Sequence, residues 1–514
     1  MNKRILFAST VFIVGLCSIV YELLISTAAT YFLGDGVKQF SIIIGVYLFS
    51  MGVGAYLSRF FKDASLLFFI KIEYALGFIG GISVPLIYFL FVTVSTSILQ
   101  ILCLVIVFLI GLLTGMEVPL LTFSRADDVK NNLSEVLSLD YIGGLAATLI
   151  FPFLLLPFVG LFYSSLVFGL LNLLLGIVLN ITYFPQRKRV LAFGSVLVAG
   201  LVVIVIQAAS LLQVWDEQIY KNPIVYNAQS AYQKIVVTKR QKDVRLYLNR
   251  VIQFSSEDEH RYHESLIHVP AVRLLKMKSV LVLGGGENLA TRELLKYPSI
   301  EIIDVVDIDS MMFHLSRTHE LIRAINQDAA IHPNVNLIAE DAFSFLNQNE
   351  QKYDLIVADL PDPSSEGVAR LYSKQFFLMV KRALSDSGIF VTQAGDIYFS
   401  NTVFSCIHRT LASVFDYVSP YHTYVPSFGD WGFVMVSRQP ITQPVVTLPT
   451  HLRYLTDAQM TAGFLLPKDV SVENTNINTL DNPIILNYYL KDWEKWKQDF
   501  ANQPANQTDF FLTD

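Results

Sequence analysis

The sequence predicts a bundle of apolar helices, then a small antiparallel β subdomain, then a doubly wound α/β domain. Three observations carry this: a change of composition near Gln213, apolar runs of bilayer length before it, and strand–glycine–helix wiring after it. Of 514 residues, 53% are hydrophobic and 16% charged, with a mean hydropathy of +0.46. Average globular chains carry about 25% charge, and disordered ones bury far less apolar surface, so a disordered, collagenous or disulfide-scaffold protein is excluded. Up to Gln213 there are 11 Lys+Arg and 9 Asp+Glu, against 27 and 35 in the remainder. The second part is therefore acidic. A net charge of −6 argues against a nucleic-acid partner and permits a cationic substrate. Cys17, Cys103 and Cys406 stand far apart with no CxxC pair, so neither a zinc site nor a disulfide framework is expected.

A lipid core about 30 Å thick is crossed by about 20 apolar residues, because a helix rises about 1.5 Å per residue. By that measure about seven spans are expected, over residues 5–32, 40–60, 66–94, 98–123, 138–157, 161–184 and 190–213. The breaks carry turn residues or charge, as at Gly34-Asp35-Gly36, Arg59 to Asp63, Arg125 to Lys130 and Pro185 to Arg189. The first run is too long for a cleaved signal peptide, and Glu22 interrupts it. Glu22, Lys71, Glu73, Glu117 and Asp140 fall in or near the spans, where a charge is costly and marks a functional candidate; Glu22 and Glu117 are the candidates for substrate handling. Gly52-Val53-Gly54-Ala55 and Gly143-Gly144 read as close helix packing. Lys3-Arg4, Arg59, Lys62, Arg125, Lys130 and Arg187-Lys188-Arg189 all gather on one side of a seven-span arrangement. If that side is the cytoplasm, an odd number of spans sends the acidic part outside, a conflict the loop charges leave open.

After Trp215 the runs become short and β-branched. Residues 234–239 and 244–251 alternate apolar and polar side chains and predict a small antiparallel subdomain. Residues 279–283 form an apolar strand followed by Gly284-Gly285-Gly286 and a helical stretch over 289–296, the opening of a doubly wound sheet. Further strands are expected over 302–308, ending at Asp307 and Asp309, over 336–338, ahead of Glu340-Asp341-Ala342, and over 354–358, ending at Asp359. Such sheets bind ligands at the carboxyl ends of their strands, so Gly284 to Glu287, Asp307, Asp341 and Asp359 are expected to converge on one crevice. Glycines let a backbone approach a ligand, and Asp307 suits the ribose hydroxyls of an adenosine. The loop lacks GxGxxG spacing, which favours a sulfonium nucleoside over a dinucleotide. Asp341 either accepts from an adenine amino group or caps the helix that begins at Ala342. Asp359-Leu360-Pro361-Asp362-Pro363 places two carboxylates three residues apart on a loop stiffened by prolines, above the ligand site.

At these residues the chain resembles the spermidine synthase family, the polyamine aminopropyltransferases. The matching segments are Tyr232-Gln233, residues 246–253, Asp258-Glu259, Tyr262-His263-Glu264, residues 280–286, Arg292-Glu293, Val306 to Asp309, Glu340-Asp341-Ala342, residues 353–363 and 371–377, and Val391 to Gln393, in family order across roughly Gln229 to Phe433. The whole chain is similar to the long bacterial form, in which a multi-span membrane domain precedes the synthase, and the loop Val425 to Phe433 resembles that branch. The resemblance implies a Rossmann-like domain of the class I methyltransferase type. It implies transfer of an aminopropyl group from decarboxylated S-adenosylmethionine to putrescine, giving spermidine and methylthioadenosine, with that nucleoside as co-substrate and no metal or redox cofactor.

The chemistry fits the residues. A primary amine with a reference pKa near 10.4 is almost fully protonated at neutral pH and cannot attack carbon. A base must strip it while the sulfonium waits in line, and Asp359 is placed for this, with Asp362 to position the amine. By resemblance, Gln233, Asp307, Asp341, Ala342, Gly284 and Gly285 hold the nucleoside, His263 and Glu287 lie near the amino ends of the substrates, and Tyr262 and Gln393 line the diamine channel. Glu287 would also repel the carboxylate that ordinary S-adenosylmethionine retains. The family usually has Asp then Gly where Glu287 and Asn288 stand; Ser364-Ser365-Glu366-Gly367 replaces a Val-Gly-Pro run, and Tyr424 is the nearest counterpart of a late-loop tyrosine.

The expected division is 1–213 membrane domain, 214–276 β subdomain, 277–445 aminopropyltransferase domain and 446–514 C-terminal extension. A methyltransferase on the same fold is disfavoured by the two-carboxylate loop and the Tyr262-His263-Glu264 segment; a polyamine transporter or sensor with a non-catalytic synthase-like half is the other alternative, motivated by Glu22 and Glu117. The expected partners are putrescine or a related diamine, the nucleoside, the lipid bilayer and a second copy of the chain. Because the nucleoside is made in the cytosol, the acidic part is expected there, on a multi-pass inner-membrane protein.

Overall fold

A computed structural model describes residues 3–34, 36–124, 129–220, 222–441, 443–470 and 475–501. Asp35 of the first turn and Arg125 among the loop charges lie outside them. The chain divides into two compact units, Met1–Pro223 and Ile224–Asp514.

The first unit is helical throughout: α1 (Lys3–Leu33), α2 (Gly36–Leu57), α3 (Ser65–Thr93), α4 (Thr96–Phe123), α5 (Val129–Ile150), α6 (Gly160–Tyr183) and α7 (Lys188–Tyr220). Six helical runs, not seven, are long and apolar enough to cross a bilayer among the described residues. The count changes because the fifth and sixth expected spans join into one run, Leu133–Tyr183, bridged by a π-helical stretch over Phe151–Val159. At about 1.5 Å per residue that run is more than twice as long as a lipid core is thick, and it contains a break at Gly160, where φ is +77°. The last helix also runs past Gln213 to Tyr220, because Trp215 and Tyr220 bury their rings after the apolar run has ended. Backbone-to-backbone packing is as the small residues predict: a Cβ on Gly54 would collide with the Leu112 carbonyl, and one on Gly143 with the Phe12 carbonyl, whereas Gly52 faces open space.

The second unit begins with a four-stranded antiparallel sheet, β1 (Ile224–Gln229), β2 (Lys234–Arg240), β3 (Asp243–Leu248) and β4 (Val251–Ser255), in sequence order. The expected single strand over 244–251 is a hairpin. Asn249 and Arg250 both take positive φ, 48° and 73°, the two-residue turn that matches the strand twist, and Val251 starts the return strand.

Helix α8 (Glu259–Ala271) leads into a seven-stranded sheet built from β5 (Ser279–Gly284), β6 (Ile302–Asp307), β7 (Val335–Ala339), β8 (Tyr353–Asp359), β9 (Leu384–Asp396), β10 (Tyr417–Val425) and β11 (Gly429–Ser437). The spatial order is β10-β11-β9-β8-β5-β6-β7, with β7 to β9 in parallel and the last two strands antiparallel. Among the interposed helices are α9 (Leu289–Leu294), α10 (Ser310–Thr318), α11 (Glu320–Asn326) and α12 (Ala342–Gln348). Both faces of the sheet are covered. Leu281 and Leu283 of β5 pack on one side with Phe376, Phe377 and Ile407, and Val280 and Val282 on the other with Leu266, Ala290 and Val357. That two-sided burial is why β5 reads as a continuous apolar run.

The chain order reverses between β5 and its neighbour β8, and their register sets Gly284 opposite Asp359. Gly284 takes φ +83°, and a Cβ there would collide with the backbone oxygen of Asp359. Strain of about 1–3 kcal/mol from the backbone conformation alone, plus the steric conflict, is expected for Gly284→Ala. The variant should unfold about 5–10 °C lower than the parent in a thermal melt of the detergent-solubilised chain.

Candidate active site

The carboxyl ends of the parallel strands place Gly284, Asp307 and Asp359 on one edge of the sheet. The glycine turn packs into these acids. A Cβ on Gly285 would lie 3.2 Å from Asp359 Oδ2, and one on Gly286 would lie 2.7 Å from Asp307 Oδ2. Asn288, where the family usually has glycine, adopts φ +67° and is fully buried. Its Nδ2 donates to the Gly286 carbonyl at 2.9 Å and to Ser316 Oγ at 3.1 Å, so the turn survives the substitution through a side chain that holds its own loop.

Asp307 is held by backbone donors, Gly286 N to Oδ2 at 3.2 Å and Asp309 N to Oδ1 at 2.8 Å. Burial outweighs those bonds and raises its carboxyl to about 7. Asp309, for which the sequence offered no role, caps α10 through Met311 N and accepts from Ser230 Oγ at 2.7 Å and Gln233 Nε2 at 3.0 Å. Gln233 thus reaches the nucleoside edge through Asp309, which fastens the four-stranded sheet to the end of β6. Asp341 caps α12, a role that does not exclude the adenine contact: Oδ1 accepts from Ser344 N at 2.9 Å, directly before the buried Ala342. Its Oδ2 pairs with the Arg370 guanidinium at 2.6 Å.

The amine side is built on α8. Tyr262 donates its hydroxyl to Asp359 Oδ1 at 2.7 Å, and its ring lies against Phe428, Trp431 and Phe433. His263 Nε2 is 3.8 Å from Asp359 Oδ2 and 3.9 Å from Glu287 Oε1. Ligand atoms of His263, Glu287 and Asp359 all lie within 4.8 Å of one another, so this trio can surround a cation, metallic or ammonium. On its other nitrogen, His263 Nδ1 meets Glu259 Oε2 at 2.9 Å. Glu259 in turn takes two bonds of 2.9 Å from Arg292, whose Nε donates to Glu293 at 2.9 Å. Glu293 completes the line with His268 at 2.8 Å.

This buried relay fixes charge. Burial would raise the Glu259 carboxyl, but His263 and Arg292 override it and hold it at about 2. Burial would likewise depress the His263 imidazole, yet bonds to Glu259 and Glu287 raise it to about 10, so it is an imidazolium at neutral pH. Burial raises Asp359 to about 6, helped by the Glu287 charge and opposed by His263 and Tyr262. Burial also raises Asp362 to about 6, the Gln393 amide beside it opposing.

Gln393 is committed to the loop. Its Nε2 donates to the Leu360 carbonyl at 2.8 Å and to Tyr372 Oη at 2.6 Å, and its Oε1 accepts from Gly395 N at 2.8 Å. With Tyr372, which donates to the Pro361 carbonyl at 2.9 Å, it braces the Asp359–Pro363 turn from behind. Glu264 of the same helix accepts from the backbone N–H groups of Arg453, Tyr454 and Leu455, and Asp258 from Ser427, tying the later loops to α8. Ser365 caps the short helix that begins at Glu366, and Tyr424 is exposed. The sequence segments contained Glu259, Arg292 and Trp431 without assigning them roles; the four-residue spacing of Glu259 and His263 on one helix face was the available signal.

Comparison with known proteins is consistent along the whole chain. Residues 259–447 match the spermine/spermidine synthase domain model. A polyamine aminopropyltransferase of Leptospira interrogans is 38% identical, covering 95% of this chain and 98% of that one. One from Oceanobacillus iheyensis is 35% identical over 94% and 96%, and polyamine aminopropyltransferase 2 of Aquifex aeolicus 36% identical over 94% and 97%. The crystal structure of spermidine synthase from Thermotoga maritima aligns with a TM-score of 0.44 at 23% identity, over 48% of this chain and 85% of that one.

Glu259→Gln removes the charge that holds the His263 proton. In histidine-labelled protein followed by NMR, the His263 titration should move from about 10 down to below neutrality; a midpoint unchanged by the substitution would show that Glu259 is not its cause.

Proposed function

This chain belongs to the polyamine aminopropyltransferases, the spermidine synthase family, and on that premise we propose that Asp359 is the general base and that the acceptor is putrescine or a closely related diamine. The enzyme is an aminopropyltransferase. The observation that carries the proposal is the orientation of the Asp359 carboxyl: it faces the glycine turn, with Tyr262 on one oxygen and His263 and Glu287 around the other, and it has no basic side chain bonded to it closer than 3.8 Å.

Decarboxylated S-adenosylmethionine lies, in this reading, along the strand ends, its ribose at Asp307 and its nucleoside backed by Gly284, Gly285 and Ala342. Gln233 acts through Asp309. Asp341 reaches the adenine amino group when Arg370 releases its second oxygen. Glu287 receives the aminopropyl ammonium, and an anionic cleft disfavours a nucleoside that still bears its carboxylate. The diamine lies along the aromatic wall of Tyr262, Phe428 and Trp431, where rings cover its methylenes and attract its charge. Asp362 holds one ammonium, braced through Gln393.

Asp359 then takes a proton from the other ammonium, the freed nitrogen lone pair attacks the carbon bonded to sulfur, and the C–S bond electrons leave on methylthioadenosine. A carboxylate raised to about 6 is a stronger base than an ordinary one and is still ionised at neutral pH. The fixed imidazolium of His263 balances one of the surrounding negative charges without supplying a proton acceptor.

The N-terminal helices, in the same proposal, anchor the enzyme in the inner membrane, with the synthase unit on the cytoplasmic side where its nucleoside is made, and two chains form a homodimer. The division of labour keeps the expected order, with the first boundary moved to the end of α7: the helical unit in lipid, the four-stranded sheet beside the nucleoside, α8 and the seven-stranded sheet for the amine and the chemistry, and 446–514 as an extension.

Asp359→Asn should lower kcat about 10²–10⁴-fold with little change in the diamine KM, whereas Asp362→Asn should act mainly on that KM, as read by methylthioadenosine release. The kcat/KM of the parent should fall as pH drops through about 6, because protonation of Asp359 removes the base. A reporter fused after Asp514 should report the cytoplasm; a periplasmic signal would overturn the topology while leaving the chemistry untouched.

A further inference from the structure

The helical unit carries its own buried charge, used by nothing in the transfer reaction. Glu73 of α3 and Glu117 of α4 are fully buried, and none of their four carboxyl oxygens has a donor among the described residues. The two carboxyls lie at hydrogen-bonding range of each other, both being acceptors when ionised. Lys71, two residues from Glu73, is exposed on another face of α3.

Other side chains point to the same place. Gly176 of α6 packs on Glu73, since a Cβ there would lie 3.3 Å from Glu73 Cβ. Asn172 and Asn180 sit one turn either side of Gly176 on that face, both are buried, and neither amide has a partner for its oxygen or its nitrogen. Tyr21 of α1 packs on Gly80 of α3, and its buried hydroxyl is unpartnered. Asp140 of α5 faces Glu117. The groups facing the pair from α1, α3, α4, α5 and α6 are therefore acidic or neutral among the described residues.

Two facing carboxylates cannot both stay ionised in a dry interior without a positive charge between them. A single shared proton brings one donor to the four carboxyl oxygens, whereas a primary ammonium brings three. We propose that Glu73 and Glu117 form the core of a second site, inside the helical unit, that binds the ammonium end of an alkyl amine, with Asn172, Asn180 and Tyr21 spaced along the adjoining helices as polar partners for the rest of that amine. The choice of amine over another monovalent cation rests on the aminopropyltransferase reading, whose substrate and product are both alkyl ammonium ions; the site itself rests on the burial and unsatisfied polar groups.

The full-length protein in detergent is treated with a lipophilic carbodiimide, with putrescine or sodium chloride at equal ionic strength, and all modified Glu73 and Glu117 are counted by peptide mass spectrometry, N-acylurea adducts and putrescine amides together, so that trapping of the activated carboxyl by the amine is not scored as protection. Modification should fall about tenfold when putrescine is at about ten times its dissociation constant, and not with sodium. Loss of labelling with sodium alone, or labelling indifferent to both, overturns the proposal. Labelled putrescine should also bind with one site fewer per chain in E73Q/E117Q than in the parent, while aminopropyl transfer by that variant is unchanged; equal stoichiometry overturns the proposal even where the carbodiimide fails to react. Transfer activity measured on the same preparation is scored separately, so an inactive enzyme whose glutamates are still protected refutes the catalytic reading alone.

Discussion

The pairing of β5 with β8 is the constraint on which the catalytic unit depends. It is the point where the chain reverses direction across the sheet, so the turn after β5 and the loop after β8 leave side by side and their helices diverge to opposite faces. A crevice opens there because no connection covers it. The register that sets Gly284 opposite Asp359 brings a backbone with no side chain against the carboxylate that must face the ligand, and Gly286 stands in the same relation to Asp307. A residue with a Cβ at either place would push an acid out of the crevice. Glycine content and acid placement are therefore one requirement and not two.

Behind that edge, the alternating charges of His263, Glu259, Arg292 and Glu293, with the His268 ring bonded beyond them, run through the interior of the unit, each residue carrying at least one bond of 2.8 or 2.9 Å. Buried ion pairs contribute little net stability, since desolvation cancels most of the attraction. What this line does supply is a fixed protonation state at its end. With Glu259 locked as an anion, His263 holds its proton near neutrality and, in the proposed mechanism, would not compete with Asp359 for the proton of the incoming amine. The histidine is then a permanent counter-charge, and the proposed base is the carboxylate that burial has raised and that Tyr262 orients.

The sheet was legible because its strands are buried on both faces and end in acids or glycines, a pattern that composition alone reveals at Ser279–Gly284 and Tyr353–Asp359. Turns were harder. Asn249-Arg250 contains no glycine, so the hairpin between β3 and β4 depends on two side chains tolerating positive φ, which the alternation of the flanking residues conceals. The junction between the fifth and sixth apolar segments does carry its break, at Gly160, but Pro152 and Pro157 do not end the helix before it: a π-helical stretch over Phe151–Val159 carries the helical run on to that glycine. In the site, residue types were legible and their commitments were not. Gln393 and Asp341 are polar, yet they hydrogen-bond to near neighbours, Gly395 and Ser344, and to Leu360, Tyr372 and Arg370, which lie far away in sequence.

In the proposed reading, selection between decarboxylated and ordinary S-adenosylmethionine would follow from charge. Glu287, Asp359 and, further along, Asp362 would surround the aminopropyl group, with His263 as the cation 3.9 Å from the first and 3.8 Å from the second. An ammonium entering this group would gain from each carboxylate. The zwitterionic end of ordinary S-adenosylmethionine would bring a carboxylate against the same acids and against the rings of Tyr262, Phe428 and Trp431. Replacing the usual aspartate by Glu287 moves the carboxyl one methylene deeper into the crevice, which brings its oxygen to 3.9 Å from His263 and couples donor recognition to the same buried imidazolium that keeps Asp359 free to act. Donor choice and base strength would then share one determinant: a mutation that neutralises His263 would let the Asp359 carboxyl rise further and would deprive Glu287 of its counter-charge.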